Sequence, residues 1–423
     1  MMRRVCGKML SVVLCLGIMT GSTGCSGNEI SLAVAEEKTD ISFSWWGTDA
    51  RHDYTMAAVE EFEKLHPEID VHLQYTEFSG YDKKSAIQMA SHTEADVMQI
   101  NYAWVDKFSP DGNGYLDLET VKDTLGLDAY DDTQLAYGRS GGVLNALPIA
   151  LNAKVCLYNK DLYDSFGLAL PKNWEDLFAA AEVMQEKGVY PLDLDQVCSY
   201  MFSVAYVEQK TGKTFIGEDR TLGFSEEDVK EMLRFYMELV EKKVTPYVGE
   251  RDDSNYKNGV AAGVAQWITN AAGSESALKE SLDQTTVVAE NPVMDGAKRK
   301  GWYLKPATMY ALSKHSEHEK EAAMFLDFLV NGKEMAELQG LEKGVPVSKK
   351  AREVLEQKNI MTGIQVSADE VMLGMEMELM SPYYEDAALQ EAFVKATSAM
   401  KYDGVSLETA AKDAYEGMKA DLK

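Results

Sequence analysis

Cysteine is scarce in this chain, with five residues in 423. Cys6, Cys15 and Cys25 fall in the first 25 positions, which leaves Cys156 and Cys198 in the body. Two cysteines in a chain of this size do not make a disulfide framework. Cys156 lies in an apolar strand pattern and reads as a buried thiol, and nothing supports a Cys156–Cys198 bridge. Positive charge is also in deficit: 42 basic residues stand against 69 acidic ones, a formal charge of −27. A nucleic-acid partner is therefore not expected, because phosphate binding needs a cationic footprint. The acidity reads as solubility at a crowded cell surface. Beyond the leader no run is long and apolar enough to span a bilayer. No fixed-period repeat or low-complexity block argues for a solenoid.

Catalytic motifs are missing too. There is no Gly-x-Ser-x-Gly elbow, no phosphate-cradling glycine loop and no His-Glu-x-x-His. Carboxylates are plentiful, but no spacing pairs two of them for glycoside hydrolysis. His315 and His318 lie three apart among Ser316, Glu317 and Glu319, a solvated helix entry rather than a metal site. Asp111, Asn113 and Asp117 have the look of a calcium loop, yet Leu116 and Lys122 stand where glycine and glutamate are required, so this is a surface turn. No enzyme, metal or cofactor is expected.

The N-terminus is informative. Arg3, Arg4 and Lys8 precede a short apolar run, Leu10 to Met19, and small residues then lead to Cys25. This is a secretory signal, too short for a spanning helix. Ser22-Thr23-Gly24-Cys25 looks like a lipobox in which Cys25 takes the lipid, with Ser22 departing from the usual aliphatic residue. An ordinary cleavage site near Cys25 is the alternative. Lipidation contributes about 0.8 kcal/mol per buried methylene, so two or three acyl chains would tether the protein.

Beyond a small, charged linker to residue 39, Ile41, Phe43 and Trp45 alternate with serines as in a strand. A helix over roughly 53–66 ends at Pro67, and Ile69 to Tyr75 is the next strand. This βαβ unit implies a parallel pair with a right-handed crossover. Asp96 to Ile100 gives a third strand. Alternation of this kind argues an open α/β sheet with helices on both faces. Later helices are expected at Asp195 to Lys210, Glu226 to Lys243 and Glu319 to Leu329. Thr285 to Ala289 reads as a strand returning to the first lobe, Gly344 to Val347 as a further crossing, and the helical tail from about 350 as packing on the second lobe.

The stretch from Ala146 to Gly188 organises the rest. Val155 to Tyr158 is a strand, and Asn173 caps a helix whose Leu177, Phe178, Ala181 and Met184 share a face. Pro148-Ile149-Ala150, Leu157 to Leu162 and Pro171 to Leu177 resemble the bacterial extracellular solute-binding proteins of ABC importers, carbohydrate-binding family 1, which includes maltodextrin-binding proteins. The likeness runs over most of the chain after the leader. It implies a two-lobe periplasmic-binding-protein-like fold (type II), each lobe a doubly wound sheet, joined by hinge strands. Residues 1–24 would be the signal peptide and 25–39 the lipid-anchored linker. The N-terminal lobe would be 40–150 plus about 286–345, and the C-terminal lobe 151–285 plus about 346–423. The implied partners are a carbohydrate, the ABC permease transmembrane subunits, and the membrane through the lipid anchor only. The protein is expected to be a monomer on the extracytoplasmic face of a single-membrane cell.

A sugar offers flat C–H faces and a rim of hydroxyls, so its site wants aromatic platforms beside planar polar side chains. Such groups recur at strand ends, where open α/β sheets place ligands. They are Trp45, Trp46, Asp49 and Arg51; Asn101, Tyr102 and Trp104; Trp267 and Asn270; and Trp302 and Tyr303. From the resemblance, Trp267 matches a stacking aromatic of the second lobe and Tyr81 a position that often faces the cleft. Asn152 matches a ligand contact near the first hinge strand, where maltodextrin binders carry Glu. Tyr383 and Tyr384 have only aromaticity to recommend them. A peptide or polyamine ligand, or a secreted carbohydrate-active enzyme, remains the alternative.

Overall fold

The computed structural model describes residues 38–217 and 220–422, so the leader and the predicted lipidation site Cys25 lie outside the described residues. Strand β1 (Thr39–Trp46), helix α1 (Asp49–Leu65) and strand β2 (Ile69–Thr76) form the expected βαβ unit, with β1 and β2 parallel from Thr39↔Ile69 to Trp46↔Thr76. Helix α2 (Tyr81–Ser91) then leads to β3 (Val97–Ile100), which pairs with β1 on its other edge, also in parallel. Helix α3 (Tyr102–Phe108) leaves the carboxyl end of β3. A short hairpin, β4 (Arg139–Ser140) and β5 (Val143–Leu144), precedes the long strand β6 (Ala146–Asn159).

Every one of the 14 residues of β6 is buried. Its first half, Ala146 to Ala153, runs antiparallel to β9 (Tyr303–Leu312). Its second half pairs with β7 (Gly263–Trp267) and β8 (Thr286–Ala289). Strand β9 meets β3 at its far end and the two-residue β10 (Glu378–Leu379) at its start. Thus β6 and β9 pass from one lobe to the other. The register of β6 against β9 slips between Pro148 and Leu151. Pro148 has no N–H for the ladder, and strands accommodate such residues at irregularities of this kind. A third segment lies there: Pro346 bridges Ala150, and Val347 donates to the Ile149 carbonyl at 2.9 Å. Gly344 takes φ +103, a conformation that β-carbons disfavour, as this segment comes against Ala150. Beside it Lys343 is buried, its ammonium nitrogen 2.9 Å from Gln99 Oε1 and 2.7 Å from the Tyr310 hydroxyl.

Two placements differ from the sequence expectation. Thr286–Ala289 pairs with Cys156 to Asn159 and so stays in the second lobe, and the return is made by β9. The segment between them is tied to helix Gln196–Thr211 by Gln209, whose amide donates to the carbonyls of Pro292 and Lys300. The first helix of the tail, Lys349–Gln357, packs on Glu319–Asn331 and Lys333–Gln339 of the first lobe. Its Lys350 reaches Asp128 at 3.1 Å. Helices Ala387–Tyr402 and Leu407–Asp421 pack on Glu226–Glu241, as expected for the second lobe.

Local signals that decide these elements are legible. Asn173 accepts from the Asp176 N–H at 2.8 Å and begins the helix Trp174–Met184. Leu177, Ala181 and Met184 are buried on one face of it, among Trp174, Phe202 and Trp302. Cys156 and Cys198 are free thiols in the same cluster. Burial pushes the Cys156 thiol up to about 12, which removes it as a nucleophile.

Candidate functional site

The register of the hinge strands assembles a polar face at their centre. Asn152 of β6 stands opposite Lys305 of β9, and Lys154 stands opposite Trp267 of β7. Successive strand residues point to opposite faces, so Asn152 and Lys154 share one face while Leu151, Ala153 and Val155 enter the core. The Trp267 ring has the Lys154 ammonium 4.7 Å and the Lys305 ammonium 4.6 Å from its centroid. A cation there is held by the ring's negative face. Each lysine also meets a carboxylate: Lys154 lies 3.6 Å from Asp195, and Lys305 is bonded to Glu385. Only 5% of the Lys154 side chain is exposed, and a charge so far from water requires such a partner.

At the start of β9, on the same face as Lys305, Tyr303 places its hydroxyl 2.8 and 2.7 Å from the two oxygens of Glu208. Glu208 is fully buried and also accepts from the Phe215 N–H at 2.6 Å. Burial pushes its carboxyl up to about 7, against the opposing pull of the Tyr303 bond and the Arg299 charge. In front of Tyr303 lies a cavity of about 450 Å³ whose walls include Tyr102 and Asp106 from the first lobe and Arg220, Arg299 and Tyr383 from the second. A second cavity, about 620 Å³, opens at the end of β1 between Trp46, Asp49, Arg51, Glu77 and Phe78. Arg51 spans toward the third crossing there, donating to the Glu342 carbonyl at 3.1 Å.

Of the residues read from the sequence, Tyr102 and Tyr303 line the cavity between the lobes, Trp267 is half-buried beneath Lys154 and Lys305, and Trp46, Asp49 and Arg51 line the cavity at the end of β1. Trp45 and Trp302 are corrections. Trp45 is wholly buried between Phe43 and Tyr75, with its N–H given to His52 Nδ1 at 3.1 Å. Trp302 is buried in the second-lobe core against Phe202, with its N–H on the Pro292 carbonyl. Both sides of an α/β sheet are covered, so an indole at a strand end finds a core on either face. Tyr81 and Trp104 are buried and stacked on each other, and the Tyr81 hydroxyl bonds Ser44 and the Gln99 carbonyl. Asn101 caps α3 through its side-chain oxygen. Asn152 bonds the Thr269 hydroxyl at 3.2 Å, and Asn270 is an exposed residue at the start of helix Ala271–Leu282. Lys154, Lys305, Asp106 and Arg220 were not read from the sequence. The alternation Asn152-x-Lys154 was the available signal for one of them.

A family model for the bacterial extracellular solute-binding proteins matches residues 48–336. The chain belongs to that family. This solute-binding protein is 30% identical to a periplasmic solute-binding protein from Pectobacterium atrosepticum, with a TM-score of 0.82 over 91% of this chain and 98% of that one. It is likewise 30% identical to a periplasmic oligogalacturonide-binding protein from Yersinia enterocolitica in complex with saturated digalacturonic acid, with a TM-score of 0.79 over 91% of this chain and 99% of that one. Among sequence relatives, the melibiose/raffinose/stachyose-binding protein of Bacillus subtilis is 27% identical over 165 residues, 39% of this chain and 37% of that one. The fold is thus the mixed α/β, two-lobe, type II arrangement of solute-binding proteins, and family membership places the protein outside the cytoplasm. Among the described residues no helix is long and apolar enough to cross a membrane.

Proposed function

We propose that this solute-binding protein is the lipid-anchored receptor of an ABC importer, tethered through Cys25, and that it captures an oligosaccharide bearing carboxylates between its lobes for delivery to a permease. The lobes meet near residue 153 of β6 and near residue 305 of β9. The observation that carries the acidic reading is the pair of ammonium groups, Lys154 and Lys305, on the single indole of Trp267, in a protein of net charge −27. Both cations sit over the indole face, so a sugar ring that stacks there takes their place, and each displaced ammonium is then a partner for a carboxylate carried by that ring. The oligogalacturonide-binding relative supports the same class of ligand. Asp195 and Glu385 already neutralise the two lysines, which favours a second reading, a neutral oligosaccharide held by stacking and hydroxyl contacts alone. Calorimetric titration of the purified protein against galacturonate oligomers and neutral oligosaccharides of matched length separates the two. Binding of the acidic series, weakened by added salt, is the expected result. Preference for the neutral series would overturn the acidic reading, and silence toward both would overturn the sugar reading.

A further inference from the structure

Asp106 stands on α3 of the first lobe, yet its partners belong to the second. Arg220 donates to its Oδ2 at 2.6 Å, and the Tyr383 hydroxyl donates to the same oxygen. The Arg220 guanidinium lies 4.6 Å from the centre of the Tyr383 ring, so the two donors also hold each other. Neither Arg220 nor Tyr383 is on β6 or β9, the strands that join the lobes whatever their separation. These bonds therefore exist only while the lobes are close together. They cross the edge of the cavity in front of Tyr303, whose walls come from both lobes.

We propose that Asp106 is a positioning residue for capture: a clasp that binds Arg220 and Tyr383 across the cleft, sets the closed fraction of the free protein and slows ligand release. The inference rests on the two-lobe binding fold and on no particular sugar. The side chains of Asp106 and Arg220 are 30% and 49% exposed, so the ion pair is of the weak, water-screened kind. A pair of that kind changes a two-state equilibrium by roughly two- to fivefold. That size suits a receptor that must reopen at its permease, since it biases the lobes without locking them. Because both charges are near water, the bias weakens as salt rises.

The test uses the purified protein with one spin label at Ile87 and one at Leu282, exposed positions on the first and second lobes. Inter-label distances are recorded without ligand at low and high salt. The wild type should lose closed population at high salt by roughly two- to fivefold. Asp106→Asn should show the smaller closed population at both salts, with no salt response, and should release whichever sugar the titration identifies faster by a similar factor while its association rate is kept. The double variant Asp106→Arg with Arg220→Asp should restore the closed population and its salt response. Distances in Asp106→Asn that match the wild type at both salts would overturn the clasp, as would a double variant that behaves like the single one while melting at the wild-type temperature. Because the distances are read without ligand, failure of the sugar assignment leaves this result standing.

Discussion

Replacing Lys343 with methionine probes a buried amine whose described hydrogen bonds go to neutral groups. Its partners, Gln99 Oε1 and the Tyr310 hydroxyl, are neutral, and the residue is 2% exposed. Burial, reinforced by the Arg51 charge, lowers its pKa from 10.5 to about 7. Between those two values the unfolded chain holds a proton that the folded chain does not. Stability must therefore rise with pH from about 7 toward 10.5 and lie flat below that window. Each unit of separation corresponds to about 1.36 kcal/mol, so the single lysine should add about 3 kcal/mol between pH 7 and pH 9.5. Lys343→Met removes that slope. At pH 7 the variant also takes the donor from Gln99 Oε1 and the Tyr310 hydroxyl, costing about 1–3 kcal/mol, so this loss partly cancels the relief of burying the amine. The difference in pH slope is the cleaner quantity. Urea unfolding of both proteins at several pH values measures it, and parallel slopes for wild type and variant would refute the neutral, buried amine.

Other outcomes follow from the same reasoning. Trp267→Ala should lower affinity for the bound oligosaccharide roughly 5- to 150-fold, since stacking on an aromatic is worth on the order of 1–3 kcal/mol; calorimetry with unchanged affinity would displace the platform from Trp267. Glu208→Gln tests the opposite sign of linkage. With its folded pKa raised to about 7, the wild-type carboxyl loses stability as pH rises from about 4.5 through 7, by about 3 kcal/mol, and the variant should not. Melting temperatures of the pair across that range check it. Asn173→Ala should cost about 1 kcal/mol of stability with no effect on ligand affinity, the usual loss of a helix cap.

Much of the architecture was readable because it rests on local rules. The alternation of Ile41, Phe43 and Trp45, Pro67 after α1 and the Asn173 cap each act within a few residues. The return strand and the start of the tail were misplaced because no local rule decides them. Whether Thr286–Ala289 pairs with the near or the far half of β6 depends on a partner more than a hundred residues away. The site divides in the same way. Trp267 could be named from position and resemblance, but its two lysines meet only through the pairing of β6 with β7 and β9. Trp45 and Trp46 are neighbours that point to opposite faces, and with cover on both faces each found a hydrophobic cluster. Strand-end position does not separate those outcomes.

The pairing of β6 with β9 joins residues 146–153 to residues 304–311. Both hydrophobic clusters that flank these strands lack a wall until the later strand has been synthesised and docked. Contacts so distant along the chain make folding slow, because a long loop must close before its ends reward it. For a member of an extracytoplasmic family, such a delay suits export. A growing polypeptide that cannot complete either lobe early would stay loose enough to be threaded through a membrane before it assembles.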